Sequence, residues 1–222
     1  MTTSAPAPTL TAFDWVPDFA RGLVRDLRVR WAFEELGEPY AVEKLQARGA
    51  KPDGYVQRQP FEQVPALTID GVQVFESGAM LLYLAEKHGA LLPEDEQDRW
   101  TAKSWLFSAF NSVEPFCTRL FAYDVFMADQ PWSKEARVPA EALVKQKLQR
   151  LADWLGDKDW LARTFSIADI AMITVLENLR VTDLVAQQPT VAAYAERGKA
   201  RPAFQRALAA HSADFDGQPP QM

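Results

Sequence analysis

Every convincing strand signal in this chain of 222 residues falls before residue 76, and everything after residue 93 reads as helix or turn. That asymmetry reads as a small mixed sheet with helices, followed by an all-helical part. Leu10–Phe13 reads as a short strand, followed by an irregular stretch, 14–22, punctuated by Pro17 and Gly22. Leu23–Leu36 carries a helical pattern, with Val24, Leu27 and Trp31 on one stripe and Val29, Phe33 and Leu36 widening it. Gly37 suits the left-handed residue after a helix. Pro39–Leu45 is a second strand, and a short helix is expected around Pro52–Gln57. Ala66–Ile69 and Val72–Phe75 flank Asp70-Gly71, a strong hairpin signal. Pro65 stands at a strand's first position, where a missing N–H costs least. Ser77 then opens an apolar helical run. The order is β-α-β-(α)-β-β-α.

Gly89–Pro93 and the acidic residues after it read as a linker. Helices are expected at Asp98–Met127, Arg137–Leu155, Ala168–Leu179, Val191–Arg197 and Ala203–Ala210, with tails at 1–9 and 218–220. The expected division is an α/β domain over 10–90 and an all-helical domain over 97–212. Within the latter, Phe165-Ser166-Ile167-Ala168-Asp169-Ile170 spells an N-cap at Ser166, a capping-box partner at Asp169, and a hydrophobic staple between Phe165 and Ile170.

The formal charge of −6 argues against a general nucleic-acid binder. Cys117, the only cysteine, excludes an intrachain disulfide and reads as a core residue. His88 and His211 show no metal-ligand spacing. The N-terminus lacks a signal-peptide pattern and no run is long enough to span a membrane, so a cytoplasmic protein without nucleic-acid or membrane partners is expected.

Three motifs together resemble the cytosolic glutathione transferases. Gln59-Pro60-Phe61-Glu62-Gln63-Val64-Pro65-Ala66-Leu67 resembles the family's "NPxGxVPxL", and Glu76-Ser77-Gly78-Ala79-Met80-Leu81-Leu82-Tyr83-Leu84 its "ESxAIxxYL". Arg28–Gly37 resembles "VRxxLEExG", and the staple at Phe165–Ile170 is a family landmark too. The resemblance implies a thioredoxin-like domain followed by the family's helical domain, assembled as a homodimer. It implies a cis Val64-Pro65 bond, with the Val64 backbone pairing with the cysteinyl unit of glutathione. Glu76 would accept from the γ-glutamyl amine, Ser77 would donate to its carboxylate, and Gln63 would add an amide contact. Glu62 departs from the family's glycine, which puts the loop's dihedrals in question. A small apolar electrophile would be the second partner, drawing on Trp105, Phe107, Phe110, Phe116, Phe121, Tyr123 and Phe126.

The family works by stabilising the glutathione thiolate, commonly with a Tyr, Ser or Cys near the first helix. Ala12 to Glu38 contains no Ser, Thr, Tyr or Cys. Arg21 is therefore the expected activator, since a nearby cation favours the thiolate. Arg25 and Arg28 follow at i+4 and i+7 of the same face, and Asp14, Asp18, Asp26 and Glu34 are alternative partners that would make the face merely solvated. Backbone N–H groups around Ala20–Leu23, and Trp15, are the fallback donors. The expected function is glutathione transfer to small apolar electrophiles. The alternatives are a non-catalytic binder of the same fold and a glutathione-dependent peroxidase or isomerase.

Overall fold

The computed structural model describes residues 7–219. The expected tails lie outside them except for residues 7–9 and 218–219. The chain divides into two compact units: one runs to His88 and resumes at Pro202, the other is Gly89–Arg201.

The first unit is built on four strands: β1 (Thr9–Phe13), β2 (Ala41–Leu45), β3 (Ala66–Ile69) and β4 (Val72–Phe75), in spatial order β2-β1-β3-β4. β1 and β2 are parallel, with Thr9 opposite Ala41 and Phe13 opposite Leu45. A parallel pair needs a long crossover, and helix α1 (Asp26–Leu36) provides it. β3 runs antiparallel to β1 and to β4, the latter pair joined at Asp70-Gly71. Gly37, at φ 66°, closes α1 as its pattern predicts. A single turn, α2 (Tyr55–Arg58), and helix α3 (Ser77–His88) complete the α/β part.

Helix α9 (Pro202–Ala213), which the pattern groups with the helical half, packs with the first unit instead. Phe204 meets Trp31 edge-on at 4.8 Å, and both rings are buried. Residues Asp26 to Phe33 are consequently buried all round α1, charged side chains included. Arg30 bonds Asp26 and Asp214, each at 2.7 Å. His211 Nδ1 lies 3.1 Å from Asp26 Oδ2, and its Nε2 accepts from Gly22 N–H at 3.2 Å. A ring nitrogen that accepts carries no proton, so Nδ1 is the donor to Asp26.

The second unit holds α4 (Glu96–Ser108), α5 (Glu114–Val125), α6 (Ser133–Leu155), α7 (Ile167–Leu176) and α8 (Pro189–Lys199). The expected single helix over Asp98–Met127 is instead α4 and α5 joined by a wide turn, Ala109–Val113. Pro115 has no N–H to continue the ladder there. Ser166 and Asp169 form the capping box that opens α7. Asp169 also accepts from Leu161 N–H and the Tyr194 hydroxyl, both at 3.0 Å. No helix among the described residues is long and apolar enough to cross a membrane.

Candidate functional site

Val64-Pro65 is cis. The ladder between β1 and β3 covers Thr9–Thr68 and Leu10–Leu67, and there the strands part. A side chain takes over the next bond: Thr11 Oγ1 accepts from Ala66 N–H at 2.7 Å. Thr11 Oγ1 also lies 2.9 Å from the Tyr55 hydroxyl, which donates to Gln63 C=O at 2.7 Å. Burial raises the Tyr55 phenol above its ordinary value, so it keeps its proton. With that proton on Gln63, Thr11 is the donor to Tyr55. This chain of three bonds clamps both sides of the proline turn. Sequence reading assigned nothing to Thr11 or Tyr55. The Val64 side chain packs inward with Leu45, Tyr55 and Ala66, against Phe13 and Val24.

Glu62, in place of the family's glycine, takes φ 54°. The loop thus keeps a glycine-like backbone despite the side chain, which answers the question raised by the departure. Gln63 is exposed. Glu76 is exposed as well and stands at φ 69°, a left-handed conformation uncommon outside glycine. Ser77 is buried at the first position of α3, where N–H groups lack intrahelical acceptors.

Arg21 is exposed beside the first turn of the loop. Its Nε pairs with Asp18 at 3.2 Å, and its guanidinium carbon lies 5.7 Å from the Phe215 ring centre. The fallback backbone donors are already occupied. Ala20 N–H bonds Pro17 C=O, Arg21 N–H bonds Asp18 C=O, Gly22 N–H bonds His211, and Leu23 N–H bonds Ala20 C=O. Arg25 is exposed, but Arg28 is only 3% exposed and donates from Nη1 to Ser77 Oγ at 3.2 Å. The helical spacing grouped these three arginines on one face; the signal for Arg28's burial was its apolar neighbours Leu27, Val29 and Trp31. Lys51, also unassigned from sequence, holds its ammonium 5.1 Å from the Phe13 ring centre.

Among the aromatic residues of the second unit, Trp105 packs on Trp154 at 5.4 Å and Phe121 on Phe126 at 5.8 Å. Phe107 and Phe126 remain exposed. Cys117 is buried, and that burial, followed by the nearby Glu114 charge, pushes its thiol up to about 12.

The cis-proline turn and the Glu-Ser helix start both fall within a segment that matches a known family. Residues 9–86 match the family model for the N-terminal domain of glutathione S-transferase. The disulfide-bond oxidoreductase YfcG of Escherichia coli strain K12 is 31% identical over 169 residues, covering 69% of this chain and 75% of that protein. The glutathione S-transferase-like protein OpS6 of Beauveria bassiana is 28% identical over 202 residues, covering 84% and 90% respectively. A crystal structure of a glutathione transferase from Pseudomonas putida, with one glutathione disulfide bound per subunit, superimposes with a TM-score of 0.77 at 25% identity, over 91% of this chain and 90% of that one. From its thioredoxin-like sheet to its helical second unit, then, this chain belongs to the glutathione S-transferase family.

Proposed function

We propose that this protein is a glutathione transferase, binding glutathione on its first unit and presenting the tripeptide's thiolate to a small apolar electrophile. The observation that carries this reading is the clamped Val64-Pro65 turn adjoining β3, with Glu76 and Ser77 at the start of α3. In the reading, the Val64 backbone pairs with the cysteinyl unit as an added strand would. The exposed Glu76 carboxylate accepts from the γ-glutamyl amine, and Ser77 together with the helix start donates to the neighbouring carboxylate. The Gln63 amide adds a contact. Arg21 supplies the charge that favours the thiolate. A free thiol has a pKa near 8.5, so only a few per cent is ionised at pH 7 and any nearby cation raises that fraction.

A second reading has a specific observation behind it. The thiolate can attack a disulfide, forming one sulfur–sulfur bond to glutathione and releasing the other sulfur as a thiolate. A second glutathione then releases the remaining thiol and leaves as glutathione disulfide. YfcG bears the name of a disulfide-bond oxidoreductase, and the Pseudomonas putida enzyme holds glutathione disulfide. This chemistry asks no cysteine of the protein, which suits a chain whose Cys117 is buried and protonated.

Calorimetry with glutathione tests binding. Parallel assays with a generic aromatic electrophile and with hydroxyethyl disulfide then separate the readings. Turnover of the first supports transfer and of the second alone supports exchange. Binding with neither leaves a non-catalytic binder, and no binding at millimolar glutathione sinks all three. On its family membership the protein is further proposed to be cytoplasmic and a homodimer, an assembly in which the small α/β unit gains additional burial. Sedimentation at micromolar concentration is expected at twice the chain mass, and a clean monomer overturns it.

A further inference from the structure

We propose that Arg28 is the positioning residue for Ser77: it occupies an acceptor site on the Ser77 oxygen and so reserves the hydroxyl proton for the ligand's γ-glutamyl carboxylate. The inference rests on the reading above that Ser77 meets that carboxylate. Arg28 lies on α1, two residues into the segment that α3 and α9 cover, and is nearly fully buried. Its Nη1 lies 3.2 Å from Ser77 Oγ, and Ser77 is buried too.

The direction of this bond is unambiguous. A guanidinium has five N–H donors and no acceptor, so Ser77 Oγ can only accept. A serine hydroxyl has one proton and two lone pairs. With one lone pair facing a fixed cation, the proton is driven away from Arg28. A serine at a helix start can otherwise turn its lone pairs toward the free N–H groups and its proton toward any nearby carbonyl. The arginine removes part of that freedom before a ligand arrives, and ordering in advance is what raises affinity. Burial matters here, because a surface arginine would be screened by water and free to swing away. The same positive charge favours an anionic ligand group at Ser77 over a neutral one.

The test is a mutant cycle read by calorimetry in the full chain, using glutathione and 4-aminobutyryl-cysteinylglycine. The second ligand keeps the amine and every other group of glutathione but lacks the γ-glutamyl carboxylate. Arg28→Gln is expected to weaken glutathione binding by roughly tenfold or more, the range for a charge-assisted bond. On top of Ser77→Ala it should add less than about threefold, because the two act as one unit. Binding of the aminobutyryl ligand should change by less than about twofold. Arg28→Lys, which keeps charge and a donor, should recover most of the affinity.

An equal loss with and without Ser77, an equal loss for both ligands, or no loss at all overturns the proposal. If Arg28→Gln does not fold, Arg28→Lys goes through the same cycle; if neither folds, the residue is structural and the proposal falls. Should Ser77→Ala itself leave glutathione affinity unchanged, the carboxylate reading fails first. If Ser77→Ala weakens binding while Arg28→Gln does not, only the role of Arg28 is lost.

Discussion

Two glutamates, Glu62 and Glu76, hold backbones that glycine adopts freely and that cost a side-chain-bearing residue about 1–2 kcal/mol. They differ in what they offer in return. Glu62 faces solvent, with no side-chain bond to any described residue, so Glu62→Gly is expected to raise stability by about 0.5–1 kcal/mol in urea titration. Glu76 lies at the proposed amine site, where strain is tolerated for a function. Glu76→Gln should weaken glutathione binding by about 1–3 kcal/mol with an unchanged melting curve, and unchanged affinity rejects the assignment. Arg21 has the Asp18 carboxylate and the Phe215 ring as neighbours, and its charge is on offer only if the ligand competes with them. In the glutathione complex, Arg21→Met is expected to move the thiolate's ultraviolet titration midpoint upward, while Arg21→Lys retains most of the shift. A midpoint that stays put in Met transfers the role to another group, with Trp15→Phe the next variant to measure.

At the scale of elements, the proline turn depends on β1 and α2 through Thr11 and Tyr55. Tyr55→Phe leaves the Thr11 hydroxyl and Gln63 C=O without their partner, and should cost about 1–2 kcal/mol of stability while weakening glutathione binding more than Glu62→Gly does. Helix α7 carries a pH signature. Burial lifts the Asp169 carboxyl from its usual 3.8 to about 6, against the pull of the Leu161 and Ser166 backbone donors. Its folded value lies above the unfolded one, so its contribution to stability is present below pH 4 and is lost as pH rises through about 6. The stability difference between the wild type and Asp169→Asn should therefore shift between pH 4 and 6.5 and be flat above, as read by denaturant titration at each pH. The strands, the hairpin and the α7 cap were legible in sequence because each rests on short-range signals: alternation, Asp-Gly, and Ser166 with Asp169. Helix α1 was legible as an element but not in its surroundings. Sequence periodicity reports one apolar stripe, whereas burial on every side is decided by α9, whose Phe204 lies far along the chain. Separation along the chain likewise hid Ser77 as the acceptor for Arg28, and hid the use of the Gly22 N–H by His211. Glu62 was legible as a departure, but its left-handed backbone was not, since residue type alone does not set φ.

The whole molecule closes its first unit with its last described segment. Besides α9, Gly217 N–H bonds Asp14 C=O, Lys44 pairs with Asp214 and Asp216, and His211 lies edge-on to Phe215 at 4.7 Å. These bonds surround the loop between β1 and α1, where Arg21 stands. During synthesis α1 emerges long before the helix that covers Trp31, with all of residues 89–201 made in between. At 5–20 residues per second that delay is on the order of ten seconds. Throughout it, a helix bearing Trp31, Phe33 and two arginines lacks its outer cover, and the growing chain is open to chaperones and proteases for as long. Stalled chains ending at Arg201 should be cut by protease within the first 88 residues, and chains that include the α9 segment should not. The second unit needs nothing from residues before Gly89 for its capping box, so it should be resistant in both.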